Sequence, residues 1–244
     1  MKNIFKSFID YLAPNNIKCI VCDDELPTDN NYCICKKCHN KLPFINKSCQ
    51  KCGREIYDEA TICIDCKEGG LEYDKVYSIF NYQDEISSLI YRLKYGGELY
   101  LVPYLAQFIA DKIILENISF DYIVPVPLNE NRQKKRGFNQ AEVLAEQVCK
   151  ILSTKYKQVL TRQKDTPFQA RLTREERLVN LKDAFVVNDK TEVKGKTILL
   201  LDDIFTTGST INECCKVLNK AKAKSVIAIC LSHAKKNLSK NNLI

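Results

Sequence analysis

Beyond residue 72 the chain switches repeatedly between two hydrophobic periods. Short apolar-rich stretches at Lys75–Tyr82, Asp121–Val126, Gln158–Thr161, Lys196–Leu201 and Ser225–Leu231 read as strands. Between them apolar residues recur at helical spacing, and Ala141, Leu144, Ala145, Val148 and Leu152 mark one face of a helix. This alternation predicts an α/β domain with a mainly parallel sheet flanked by helices. At the N-terminus Ile4, Phe5, Phe8, Ile9 and Leu12 predict a short amphipathic helix over Met1–Pro14. Lys6 and Asp10 interrupt it, so it lacks the apolar core of a signal peptide. No run of 18 apolar residues occurs, which predicts no membrane insertion and, with no export signal, a cytoplasmic protein.

Between the expected N-terminal helix and residue 72 neither period governs the chain. Cysteine governs it instead: nine of the 13 cysteines lie between Cys19 and Cys66. Eight of these form Cys-x-x-Cys pairs, Cys19/Cys22, Cys35/Cys38, Cys49/Cys52 and Cys63/Cys66. A two-residue gap lets neighbouring thiolates converge on one tetrahedral metal, and two such knuckles close a site. The expectation is two structural zinc ions with all-cysteine ligands, leaving no open coordination position for catalysis. The knuckles pair either sequentially, as two ribbons, or crossed, first with third and second with fourth. Cys33 and His39 lie nearby and are read as bystanders. A module this small has little apolar core, so metal would supply its folding energy, on the order of 10–16 kcal/mol per structural zinc. Gly69-Gly70 marks the composition change, dividing the chain into a zinc module over 1–70 and an α/β domain over 71–244.

The richest stretch chemically is Ile198 to Thr210. Four apolar residues make a buried strand, and Asp202-Asp203 fall at its C-terminal end, the edge where open α/β sheets bind ligands. Thr206, Thr207, Gly208, Ser209 and Thr210 follow as a small-residue loop leading into a helix. Such a loop offers backbone N–H groups, hydroxyls and a helix N-terminus to one phosphate. Two carboxylates beside it need other partners, and ribose hydroxyls with a magnesium ion suit them. A sugar phosphate therefore fits the group as a unit. Gly195-Lys196-Thr197 mimics the end of a nucleotide-binding P-loop, but position 190 is lysine and the motif leads into a strand, so it is set aside.

Charge adds one further feature. The net charge is +7, and Arg132, Lys134, Lys135 and Arg136 face only Glu130, while seven lysines beyond Ile211 face only Glu213. Clusters of this kind suit an anionic partner.

The Asp202–Thr210 segment resembles the signature for 5-phosphoribosyl-1-pyrophosphate (PRPP) of type I phosphoribosyltransferases. The cysteine knuckles, Pro125-Val126-Pro127, Arg136-Gly137-Phe138-Asn139-Gln140, and Thr166 through Asn180 with Gln169 and Arg177 resemble the ComF family in the family's own order. Those are double-zinc-ribbon proteins linked to DNA uptake in naturally competent bacteria. The resemblance implies a type I phosphoribosyltransferase fold in which Asp202 and Asp203 hold the ribose hydroxyls and Thr206–Thr210 the 5′-phosphate. The turn after Val126 would be a pyrophosphate loop, with Arg136 neutralising the leaving group. Lys164–Lys182 would form a mobile hood from which Gln169, Arg171, Arg174 and Arg177 reach inward. Phe205 stands where other members often carry a smaller aliphatic residue, and is read as tolerated variation. Three functions follow: a magnesium-dependent phosphoribosyltransferase of unknown acceptor, a non-catalytic handler of single-stranded DNA with an inherited pocket, and a docking subunit for a DNA-translocating ATPase.

Overall fold

The computed structural model describes residues 18–27, 30–163, 181 and 183–234. The expected N-terminal helix, residues 164–180 and 182 of the expected hood, among them Gln169, Arg171, Arg174 and Arg177, and Lys235, Lys236 and Lys240 lie outside the described residues.

The chain order after the zinc module is strand β1 (Lys75–Asn81), strand β2 (Tyr122–Pro125), the short strands β3 (Leu160–Arg162) and β4 (Phe185–Val187), then strands β5 (Thr197–Phe205) and β6 (Ser225–His233). Four of them form one sheet in the order β1-β6-β5-β2, and every pairing is parallel. Ile198, Leu199, Leu200 and Leu201 are fully buried, as a central strand covered on both faces requires. Strand β5 runs past the apolar stretch through Asp202 and Asp203 to Phe205, so the acids project from the strand itself. Strand β4 had no sequence expectation. It pairs antiparallel with β3, Leu160 opposite Val187 and Arg162 opposite Phe185, and Gln163 N donates to Ala184 O at 2.9 Å beyond the last pair.

Helix α1 (Lys36–His39) and helix α2 (Ile64–Lys67) are single turns within the cysteine module. Helix α3 (Asp84–Gly96) buries Ile86, Leu89, Ile90 and Leu93, and Gly97 stops it at φ 67°, a conformation glycine adopts without strain. Helix α4 (Val102–Leu115) packs against helix α6 (Gln140–Leu152). Helix α5 (Glu130–Arg136) and the single-turn helix α7 (Lys190–Val193) bridge strands, and helix α8 (Ser209–Lys220) lies against β4 and β6.

The cysteine module is joined to the edge strand β1 through main-chain hydrogen bonds. Ile45 N donates to Ile79 O (2.9 Å), Asn81 N to Pro43 O (2.8 Å) and Val76 N to Lys51 O (2.8 Å). The exposed edge of the sheet is thereby covered, which protects it from pairing with other chains.

Candidate functional site

The eight paired cysteines fall into two sequential clusters, Cys19, Cys22, Cys35 and Cys38, then Cys49, Cys52, Cys63 and Cys66, each with its sulfurs within 4.8 Å of one another. The Cys22–Cys35 and Cys52–Cys63 sulfurs are 3.7 Å apart. Four sulfurs at ~2.3 Å from a central zinc would be ~3.8 Å apart, whereas a disulfide needs ~2.05 Å. Each cluster repeats one device: Cys35 N donates to Cys19 Sγ at 3.3 Å, and Cys63 N to Cys49 Sγ at 3.3 Å. Burial raises the Cys19 and Cys49 thiols, but backbone N–H groups outweigh it and bring both down to about 7. One thiolate per site is thus available near neutral pH, which is the form a metal binds. The donor set and spacing fit structural zinc and resolve the pairing as sequential. Cys33 donates instead to Lys18 O, and His39 packs among Tyr32, Phe44 and Phe108, so both are bystanders.

In the α/β domain, the C-terminal ends of β2 and β5 open onto a cleft of about 380 Å³. Asp202, Asp203, Thr206, Thr210 and Arg136 all line it. Thr207, Gly208 and Ser209 shape the turn beside it: the Thr207 and Ser209 hydroxyls are 2.8 Å apart, and Gly208, at φ 79°, caps α8. Ser209 N donates to Thr207 Oγ1 at 3.4 Å, and the turn ends at the N-terminus of α8, where the opening N–H groups of a helix lack intrahelical partners and can serve an anion.

Sequence reasoning missed the cation of this site. Lys94, in the last turn of α3, places its ammonium 2.7 Å from Asp203 Oδ2, with both side chains largely buried. Asp202 Oδ1 accepts from Asp203 N at 2.9 Å. Burial drives the Asp202 carboxyl up from 3.8 to about 7, aided by the adjacent Asp203 charge and opposed by Lys94 and Arg162. Arg162, on β3, also lines the cleft and lies over the Phe185 ring. The only hint of Lys94 in the sequence was a lysine bordering the apolar face of a helix, before Gly96-Gly97.

The opposite wall is the turn after β2. Asn139 caps α6 through Ala141 N and donates to Val126 O at 3.0 Å, fastening that turn to the helix. Arg136 ends α5, donates to Gln140 Oε1 and stacks 5.0 Å over the Tyr95 ring. Tyr91 and Tyr95, one helical turn apart on α3, are 61% and 55% exposed at the cleft mouth with ring centroids 4.9 Å apart. No sequence pattern had singled out these tyrosines.

Fold and cleft together define a phosphoribosyltransferase-type domain behind a double zinc ribbon. Residues 105–242 match the phosphoribosyl transferase domain family and residues 8–67 the double zinc ribbon domain. The chain is 32% identical over 218 residues to Competence protein F of Haemophilus influenzae, spanning 86% of this chain and 94% of that protein. It is 30% identical to Competence protein ComFC of Streptococcus pneumoniae (86% and 97%) and 28% identical to DNA utilization protein YhgH of Salmonella typhimurium (83% and 91%). The chain belongs to the ComF family.

Proposed function

We propose that the cleft binds PRPP with magnesium and serves a phosphoribosyltransferase-type reaction in DNA uptake. The observation that carries this reading is the Asp202–Asp203 pair, held at the end of a parallel strand between a cation and a phosphate-shaped turn. The N–H groups and hydroxyls of Thr206–Thr210 take the 5′-phosphate, and the two carboxylates take the ribose hydroxyls. Asp202 and Asp203, whose charge already draws Lys94 and Arg162, would favour a magnesium ion held with the ribose hydroxyls, and that ion would supply charge neutralisation to the pyrophosphate. Arg136 presents its planar fork to the departing pyrophosphate. In the transfer, the anomeric C–O bond to pyrophosphate breaks and a bond from an acceptor nitrogen forms on the opposite face. A cytoplasmic location follows from that role, and among the described residues no helix is long and apolar enough to cross a membrane. Titration with PRPP in the presence and absence of magnesium, followed by a pyrophosphate-release screen over nitrogen bases, tests the reading.

A specific observation favours a second reading, the handling of single-stranded DNA. Two exposed tyrosines stand beside the cations of α5 at the cleft mouth, and stacking platforms flanked by positive charge bind single strands without sequence preference. The relatives named for competence and for DNA utilization support the same role.

A further inference from the structure

Phe205 closes strand β5 immediately before the phosphate turn, and its ring is 3% exposed. A Cβ placed on Gly208 would lie 2.5 Å from Phe205 Cζ, so the ring is the floor on which the turn rests. Two aromatic neighbours hold that ring. Tyr73 meets it edge-on, with centroids 6.2 Å apart at 83°, and His233 packs on it at 4.8 Å. All three side chains are essentially buried, so a shift of one must displace another.

Both holders are fastened to the second four-cysteine cluster. Lys51, between ligands Cys49 and Cys52, extends its ammonium to 5.5 Å from the Tyr73 ring, and its carbonyl accepts from Val76 N. Gly53, next to Cys52, lies so close to β1 that an added Cβ would be 2.6 Å from Val76 O. On the other side Glu55 Oε2 accepts from Asn81 Nδ2 at 2.7 Å, and Asn81 is the register partner of His233. The first cluster reaches the body elsewhere: Ile20 O accepts from Arg92 on α3, and Tyr32 stacks on Phe108 of α4.

We propose that the second four-cysteine site, when it holds its metal, sets the shape of the phosphate turn through Tyr73 and Phe205, which act as positioning residues. The role assigned to the turn rests on the sugar-phosphate reading above; the mechanical coupling does not. Loss of the metal from that one site would loosen the turn, whereas its loss from the first site would not. Phe205 is then a required buttress and not a tolerated variation.

The test is amide hydrogen exchange of residues 206–210 on the full chain, with zinc counted in each variant. Cys63→Ser is expected to speed exchange there while Cys35→Ser leaves it unchanged; equal behaviour of the two variants overturns the proposal. Because a cysteine variant can fail to fold, Phe205→Leu supplies the second arm. It is expected to keep two zinc ions per chain, to speed exchange at 206–210 and to weaken ribose 5-phosphate about tenfold. Unchanged exchange in Phe205→Leu overturns the coupling. An unsubstituted protein that ignores ribose 5-phosphate overturns the sugar-phosphate reading instead, and the exchange arms still decide the coupling.

Discussion

Lys94 Nζ lies 2.7 Å from Asp203 Oδ2, so the last turn of α3 is pinned to the carboxylate edge of the central strand. The pair does two things at once. It balances a buried negative charge, and it places a cation at the edge of the cleft proposed for the sugar phosphate.

Removing one member of such a pair leaves the other desolvated and unbalanced. Lys94→Met is therefore expected to destabilise the protein by about 3 kcal/mol in urea unfolding near pH 8. The double variant Lys94→Met with Asp203→Leu removes both charges and regains most of that stability. A single variant as stable as the parent would show that the pair is a surface contact without structural weight.

Asp202 gives the fold a pH dependence of definite sign. Its folded carboxyl titrates near 7, above the ordinary 3.8, because burial and the Asp203 charge disfavour ionisation. A raised acid binds more protons in the folded state, so its contribution is fully present below the unfolded value and is lost as pH rises toward 7. Asp202→Asn removes this dependence. Its stability relative to the parent is expected to climb between about pH 4 and pH 7 and then level off, as measured by denaturant unfolding across that range. A flat difference would place Asp202 in water.

Two sequential four-cysteine clusters call for two zinc ions per chain by elemental analysis. Cys63→Ser is expected to keep one. A parent protein carrying none, or one, would contradict the double-ribbon assignment.

If single-stranded DNA uses the cleft mouth, Tyr91→Ala with Tyr95→Ala is expected to weaken it at least about tenfold, since base stacking is worth about 1–3 kcal/mol per base. PRPP is titrated alongside: Tyr95 lies under Arg136, so some loss is expected there too, and a clearly larger loss for DNA than for PRPP assigns the rings to base stacking. Replacing Lys216, Lys220, Lys222 and Lys224 by Gln tests the competing surface at α8. There the slope of log affinity against log salt falls by roughly 0.7 for each phosphate that is no longer neutralised. The variant set that leaves affinity and slope untouched excludes its own surface.

How far the sequence went depended on the range of the interaction. The cysteine knuckles, the apolar strand ending in Asp202-Asp203 and a helix start at Ser209 or Thr210 are written in neighbouring residues, and periodicity or spacing reveals them. Lys94, Arg162 and Tyr95 reach the cleft from elements remote in sequence, and no local pattern says which helix will border β5. Strand β4 has only Phe185–Val187, too short for a period to appear. Phe205 is opaque for the same reason: its partners Tyr73 and His233 lie on other segments, and only the packed structure shows the ring beneath Gly208.

Calorimetric titration of the intact protein probes the proposed magnesium-dependent PRPP site on Asp202 and Asp203. The parent is expected to bind PRPP only with magnesium. Asp202→Asn with Asp203→Asn is expected to lose about a hundredfold or more in affinity while still folding, since each hydrogen bond to a charged group is worth about 1.5–3 kcal/mol. Binding that needs no magnesium and survives the double substitution would put the sugar phosphate elsewhere and contradict the proposal.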